Sequence, residues 1–128
     1  MHTSPIFVLA LLAGIALPCQ GAKSQDPSSN WILGVWEKTQ DDDHSRADTL
    51  KFLSNGTFVA YGPRCEEKVF PYHIHAGNIY LDIEIPGKGP VALVYRPNQA
   101  HTALTFTSPR TMNNAVYERV VHPTCGGD

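Results

Sequence analysis

Two histidines at a spacing of two, His73-x-His75, are the residues whose type and position most directly suggest chemistry. On a strand such a pair shares one face, as a metal held by two imidazoles requires, and His101 and Asp82 are available as a third ligand. Parity argues against a metal. If Phe70, Tyr72 and Ile74 face a core, His73 and His75 face outward. A two-residue Gly77-Asn78 turn would then set His73 opposite Asp82, an ordinary cross-strand surface pair. Asp41-Asp42-Asp43 lacks the spaced acids and the glycine of a calcium loop, and reads as a solvated acidic loop able to attract a basic partner. Asn55-Gly56-Thr57 fits the glycosylation rule, but a hairpin tip explains it fully. No nucleophile elbow, phosphate loop or helix-borne zinc motif is present. The expectation is a protein without metal, cofactor or catalytic site.

The elements that would position these residues follow a leader. An apolar run from Ile6 to Leu17 ends at Pro18-Cys19-Gln20-Gly21, too short to span a bilayer and suited to an export signal over 1–21, cleaved after Gly21. The protein is therefore expected to be periplasmic or secreted, with no transmembrane segment. Pro18 before Cys19 argues against a lipid anchor on that cysteine. All 10 Lys/Arg and all 12 Asp/Glu fall after residue 22, for a net charge of −2, so no basic excess points to nucleic acid. The roughly 107 residues from 22 to 128 suffice for one domain with one modest core, and a monomer is expected. Cys65 and Cys125 then form an even pair, most simply a disulfide in an exported chain, fastening the polar tail to the loop after the third strand.

From Ala22 onward the pattern is of short strands. Asp26-Pro27-Ser28-Ser29 predicts a single turn. Ile32–Lys38 reads as a strand with Ile32, Gly34 and Trp36 on one face, and Thr39–Ala47 as a long mobile surface loop. Asp48–Leu53 and Thr57–Gly62 form a hairpin through Asn55-Gly56, whose register sets Phe52 opposite either Phe58 or Val59. Val69–Ile74 follows, with Pro71 marking an edge or bulge position. Ile79–Ile85 alternates most clearly, with odd residues inward. Val91–Arg96, Thr102–Ser108 and Ala115–Val121 complete eight strands, the last grouping Tyr117, Arg119 and Val121. Eight short strands without helical periodicity predict an all-β, small antiparallel up-and-down barrel.

Gly34-x-Trp36 at the first strand, Leu50 to Phe58 reading Leu-x-Phe-x-x-Asn-Gly-Thr-Phe, and Tyr117-x-Arg119 at the last strand resemble the lipocalin superfamily. The chain is most similar to the short lipocalin-like domains of exported bacterial proteins. The resemblance implies that Trp36 plugs the closed end with Arg119 across its ring, and that the disulfide ties tail to barrel as in that family. Full lipocalins carry a helix after the eighth strand, where this sequence is expected to have a polar tail over Val121–Asp128. An inner face rich in rings, with Phe52, Tyr61, Phe70, Tyr72, Leu81, Leu93, Tyr95 and Phe106 as candidate lining, predicts a binding module for a small apolar ligand. The alternative is a filled barrel of inhibitor or immunity type, engaging a protein partner through the Asp41–Arg46 loop and Arg64-Cys65-Glu66-Glu67.

Overall fold

A computed structural model of the chain describes residues 27–46 and 48–127; the expected leader, with Cys19, lies outside them. A 3₁₀ turn over Pro27–Ile32 precedes eight strands: β1 (Gly34–Asp41), β2 (Thr49–Phe52), β3 (Thr57–Tyr61), β4 (Glu67–His75), β5 (Asn78–Ile85), β6 (Gly89–Pro97), β7 (Ala103–Thr107) and β8 (Asn114–Arg119). Each strand pairs with the next and β8 returns to β1, all antiparallel, giving a closed up-and-down barrel. Among the described residues no helix is long and apolar enough to cross a membrane. Period-two alternation produces this architecture, because side chains i and i+2 must share a face. On β5, Ile79 and Leu81 are buried and Ile83 packs against the same core.

The turns fix which residues face inward. In the first hairpin Phe52 lies opposite Phe58. Only Gly56 of the Asn55-Gly56 pair has positive φ, at 87°, so the loop is a three-residue one and not the two-residue turn the dipeptide suggests. Leu50, Phe52, Phe58 and Ala60 therefore join the core, while Val59 and Tyr61 point outward. Tyr61, expected among the interior rings, is buried beneath the C-terminal tail beside Cys125. Gly126 packs so close to the Tyr61 ring that a β-carbon there would fall 2.8 Å from it. Cys65–Cys125 holds this strap in place, with Cα atoms 5.4 Å apart across a sequence separation of 60. A loop of that length corresponds to about 4 kcal/mol by chain entropy.

Four further expectations are corrected. Ile32 is fully buried but belongs to the 3₁₀ turn, and β8 ends at Arg119, leaving Val121 82% exposed. The turn after β4 is Ala76-Gly77, both at positive φ, so His73 lies directly opposite Tyr80 and reaches Asp82 only diagonally. Finally β1 continues to Asp41, past a bulge between Lys38 and Gln40, so the supposed long loop from Thr39 begins only after Asp41.

Pro71 acts as expected of a residue without a donor. Tyr72 N–H bonds the Gly56 carbonyl on the β3 side, so by alternation Pro71 would donate toward β5. The β4–β5 ladder indeed stops at Tyr72–Leu81.

At the closed end Trp36 is fully buried and its indole N–H donates to the Ile32 carbonyl at 2.9 Å. The Arg119 guanidinium lies 4.7 Å over the Trp36 ring and donates to the carbonyls of Leu33 and Trp31. Gly34, at φ 115°, leaves room for it: a β-carbon there would sit 3.2 Å from Arg119 Nη1. Truncating Trp36 to alanine should lower the unfolding free energy by about 3–5 kcal/mol. Arg119→Met should cost about 0.5–2 kcal/mol through the lost cation–π contact. Urea unfolding reads both. A Trp36→Ala cost below about 1 kcal/mol would mean that the plug does not hold this end.

Candidate functional site

The interior divides into two halves. Toward the closed end, rings fill the space: Phe52 lies 5.8 Å from Phe58 and 5.0 Å from Tyr72, and Phe58 lies 5.8 Å from Phe70. The Tyr72 hydroxyl donates to the Leu53 carbonyl at 2.9 Å, and burial pushes the phenol up to about 12. Phe52, Tyr72 and Leu81 are thus fully packed core residues, and Phe70 leans on them half-buried.

Toward the open end the lining changes character. The bulge at Thr39 turns both Lys38 and Asp41 inward, opposite Tyr117 and Ala115 of β8. The Lys38 side chain is only 7% exposed, and a buried ammonium needs a partner for each of its three donors. It donates to Asp41 Oδ2 at 2.9 Å and Ser45 Oγ at 2.8 Å, and Asp48 Oδ1 lies 4.0 Å away. Asp41 in turn accepts from the backbone N–H groups of Asp43 and Ser45 and from the Ser45 hydroxyl. The Ser45 hydroxyl, then the Lys38 ammonium, hold the Asp41 carboxyl well below the usual range.

Asp48 carries the network across the barrel. Tyr117 donates its hydroxyl to Asp48 Oδ1 at 2.8 Å. The Tyr95 and Tyr117 rings meet edge to face with centroids 5.4 Å apart. Burial raises both phenols, which keeps them protonated. Burial also raises the Asp48 carboxyl, against the opposing pull of the Tyr117 hydroxyl and Lys38. Its side chain nevertheless remains 42% exposed, on the cavity side.

These groups border a cavity of about 270 Å³ at the open mouth, whose apolar side is Leu93, Tyr95, Phe106 and Ala115 and whose rim carries Asp43, Ser108, Arg110 and Asn113. The rim is tied together: Asp43 accepts from Thr111 Oγ1 and Asn113 Nδ2, both at 2.7 Å, and these contacts lower its carboxyl. The acidic run is thus occupied by contacts within the chain. A second crevice, of about 170 Å³, lies under the disulfide-held tail and shares Lys38 and Asp48 with the mouth.

Of the residues expected to line a ligand, Leu93, Tyr95 and Phe106 meet at the mouth, while Phe52, Phe70, Tyr72 and Leu81 lie outside that cavity's lining. His73 and His75 sit on the outer face, His73 stacked 5.0 Å from Tyr80 with Nδ1 3.1 Å from Asp82 Oδ2. Among the described residues no three His, Cys, Asp or Glu side chains are grouped so that they could hold a metal ion. Lys38, Asp41, Asp48 and Tyr117 were missed as a group. Lys38 shares the parity of Trp36, and Tyr117 that of Arg119, so two of the four carried a readable signal. Comparison with family models, characterised proteins and solved structures finds no match for this chain.

The two carboxyls predict opposite pH effects. Asp48 is raised on folding, so the stability it contributes is present below the ordinary carboxyl value of 3.8 and is lost as pH rises through its higher folded value. Asp41 is lowered, so its contribution is present above 3.8 and is lost as pH falls below it. Urea midpoints of wild type minus Asp48→Asn should therefore fall between acid and neutral pH, and those of wild type minus Asp41→Asn should rise. The same sign of slope for both variants would refute this assignment.

Proposed function

We propose that the chain is a lipocalin-like binding module that takes a small amphipathic ligand at its open mouth. The observation that carries this reading is the two-sided cavity: Leu93, Tyr95 and Phe106 offer apolar surface facing the Lys38–Asp48–Tyr117 network. Ligand sites combine apolar walls with a few fixed polar groups in this way. The purely apolar ligand suggested by the ring-rich inner face fits less well, because the rings of the closed half pack against one another. Binding is favoured over catalysis because Lys38, Asp41, Asp48 and Tyr117 spend their hydrogen bonds mainly on one another and serve to orient a ligand. Action through the Asp41–Arg46 loop has weaker support, since Asp41 and Asp43 already accept hydrogen bonds from their own chain. The even cysteine pair and the apolar leader fit an exported protein.

Native mass spectrometry of the purified, oxidised protein tests the reading. An added mass released on denaturation is expected, or retention of hexylphosphocholine supplied as a probe. Phe106→Ala should weaken retention at least about tenfold by removing apolar contact, while Arg64→Ala, on the outer loop, should leave it unchanged. A bare protein that retains neither a native ligand nor the probe would overturn the proposal.

A further inference from the structure

The wall of the barrel is not equally complete all round. β6 pairs with β5 along seven residues, from Tyr95–Ile79 down to Gly89–Ile85. Against β7 it pairs only from Tyr95–Phe106 to Pro97–Leu104. One backbone bond beyond this, Asn98 N–H to the Ala103 carbonyl, fixes the alternation: even-numbered β6 residues point their hydrogen-bonding groups at β7. Continuing that register toward the open end would set Val94 against Thr107 and Ala92 against Pro109. Pro109 has no N–H to give, and neither has Pro90 on the opposite lip, so the ladder cannot zip beyond Val94–Thr107.

Both lips are nevertheless fixed from behind. β5 holds β6 to its end, and β8 holds β7 through Thr107–Asn114. At the fork, Arg96 Nη2 donates to Thr107 Oγ1 at 2.8 Å, and Thr107 Oγ1 donates to Asn114 Oδ1 at 2.6 Å. The opening is therefore a built seam with a polar latch at its apex.

A cleft of about 310 Å³ lies along this seam, with Ala92 and Val94 in its lining. Leu93 and Phe106 line both this cleft and the mouth cavity of about 270 Å³. Each volume by itself stands at the floor of the range for ligand pockets, about 300–1,000 Å³; joined, they fall well within it. We infer that the mouth continues sideways through the β6–β7 seam, and that the ligand is a linear amphiphile. Its polar head rests near Lys38 and Asp48, and its single apolar chain passes between Leu93 and Phe106 to end over Ala92. This rests on the mouth-binding reading above. The lining carries both signs of charge, Lys38 and Arg110 beside Asp43 and Asp48, so a zwitterionic head meets attraction from each.

Hexylphosphocholine and dodecylphosphocholine, both below their micelle concentrations, make the test by isothermal titration calorimetry. The wild type should bind the dodecyl chain at least tenfold more tightly than the hexyl chain. Ala92→Trp fills the outer cleft from an exposed position that does not line the mouth. It should remove that tenfold gain and leave hexyl affinity unchanged. Ala92→Glu, which puts a charge in the cleft, should do the same without bulk. Equal affinity of the two chains for the wild type, or a dodecyl advantage that survives both variants, overturns the passage while leaving the mouth site standing. Failure of the wild type to bind either probe overturns the mouth site and the passage together.

Discussion

The contact of Arg119 with Trp36 is the constraint on which the barrel depends, because it stands where the last strand meets the first. Trp36 and Arg119 are direct partners in the β1–β8 register. A closed barrel has no free edges to protect, but closure must be enforced at one particular register. The indole supplies apolar bulk at the floor. The guanidinium covers its ring and also donates to the carbonyls of Leu33 and Trp31 at the strand start. Gly34 belongs to the same device, since a side chain there would crowd Arg119 Nη1. One cluster thus determines strand order, register and the sealed end.

Everything distinctive about the opposite end follows from departures from that regularity. Without the bulge at Thr39, Lys38 and Asp41 would face opposite sides of β1. With it, they converge, and a lysine that strict alternation would leave alone among rings acquires Asp41, Ser45 and Asp48. Burying an ammonium is tolerable only with such partners. The polar mouth and the anchored 42–46 loop are therefore one structure: Asp41 holds the loop through Ser45 and Asp43 while neutralising Lys38. The disulfide-held strap closes the outer side of the same region, where Thr124 N–H donates to Glu37 Oε2 at 3.1 Å.

What could be read from the sequence was what period two controls. The eight strands, the inward sets on β4 and β5 and the Cys65–Cys125 pair follow from local pattern or from counting, while the Trp36–Arg119 floor was implied by the resemblance of short motifs. What escaped depends on non-local geometry. Tyr61 alternates correctly as a core residue until the Asn55-Gly56 loop shifts the register by one, and the ring is then buried by a polar tail of no evident apolar value. Asp41 looked like the start of a solvent loop because no apolar residue follows it. Its partner, Ala115, is supplied by a strand more than seventy residues away in sequence. Asp48 and Tyr117 likewise meet only because β8 closes beside β1.

The prolines show how one chain can both close a barrel and leave it open. Pro71 stands where the next ladder bond would form and Pro109 one bond beyond that point, one on each side of the β5–β6 hairpin. The hairpin is long within itself but short in its pairing to both neighbours, so toward the open end it continues as a two-stranded ribbon. A ribbon of that kind is an aggregation hazard unless its edges are blunted. Here Asp82 and Glu84 on β5, and Pro90 on β6, supply charge and a missing donor along those edges. Residues that stop the wall from zipping shut also stop a foreign strand from completing it. Both effects preserve space beside Leu93 and Phe106, the two side chains that face the mouth on one side and the seam on the other.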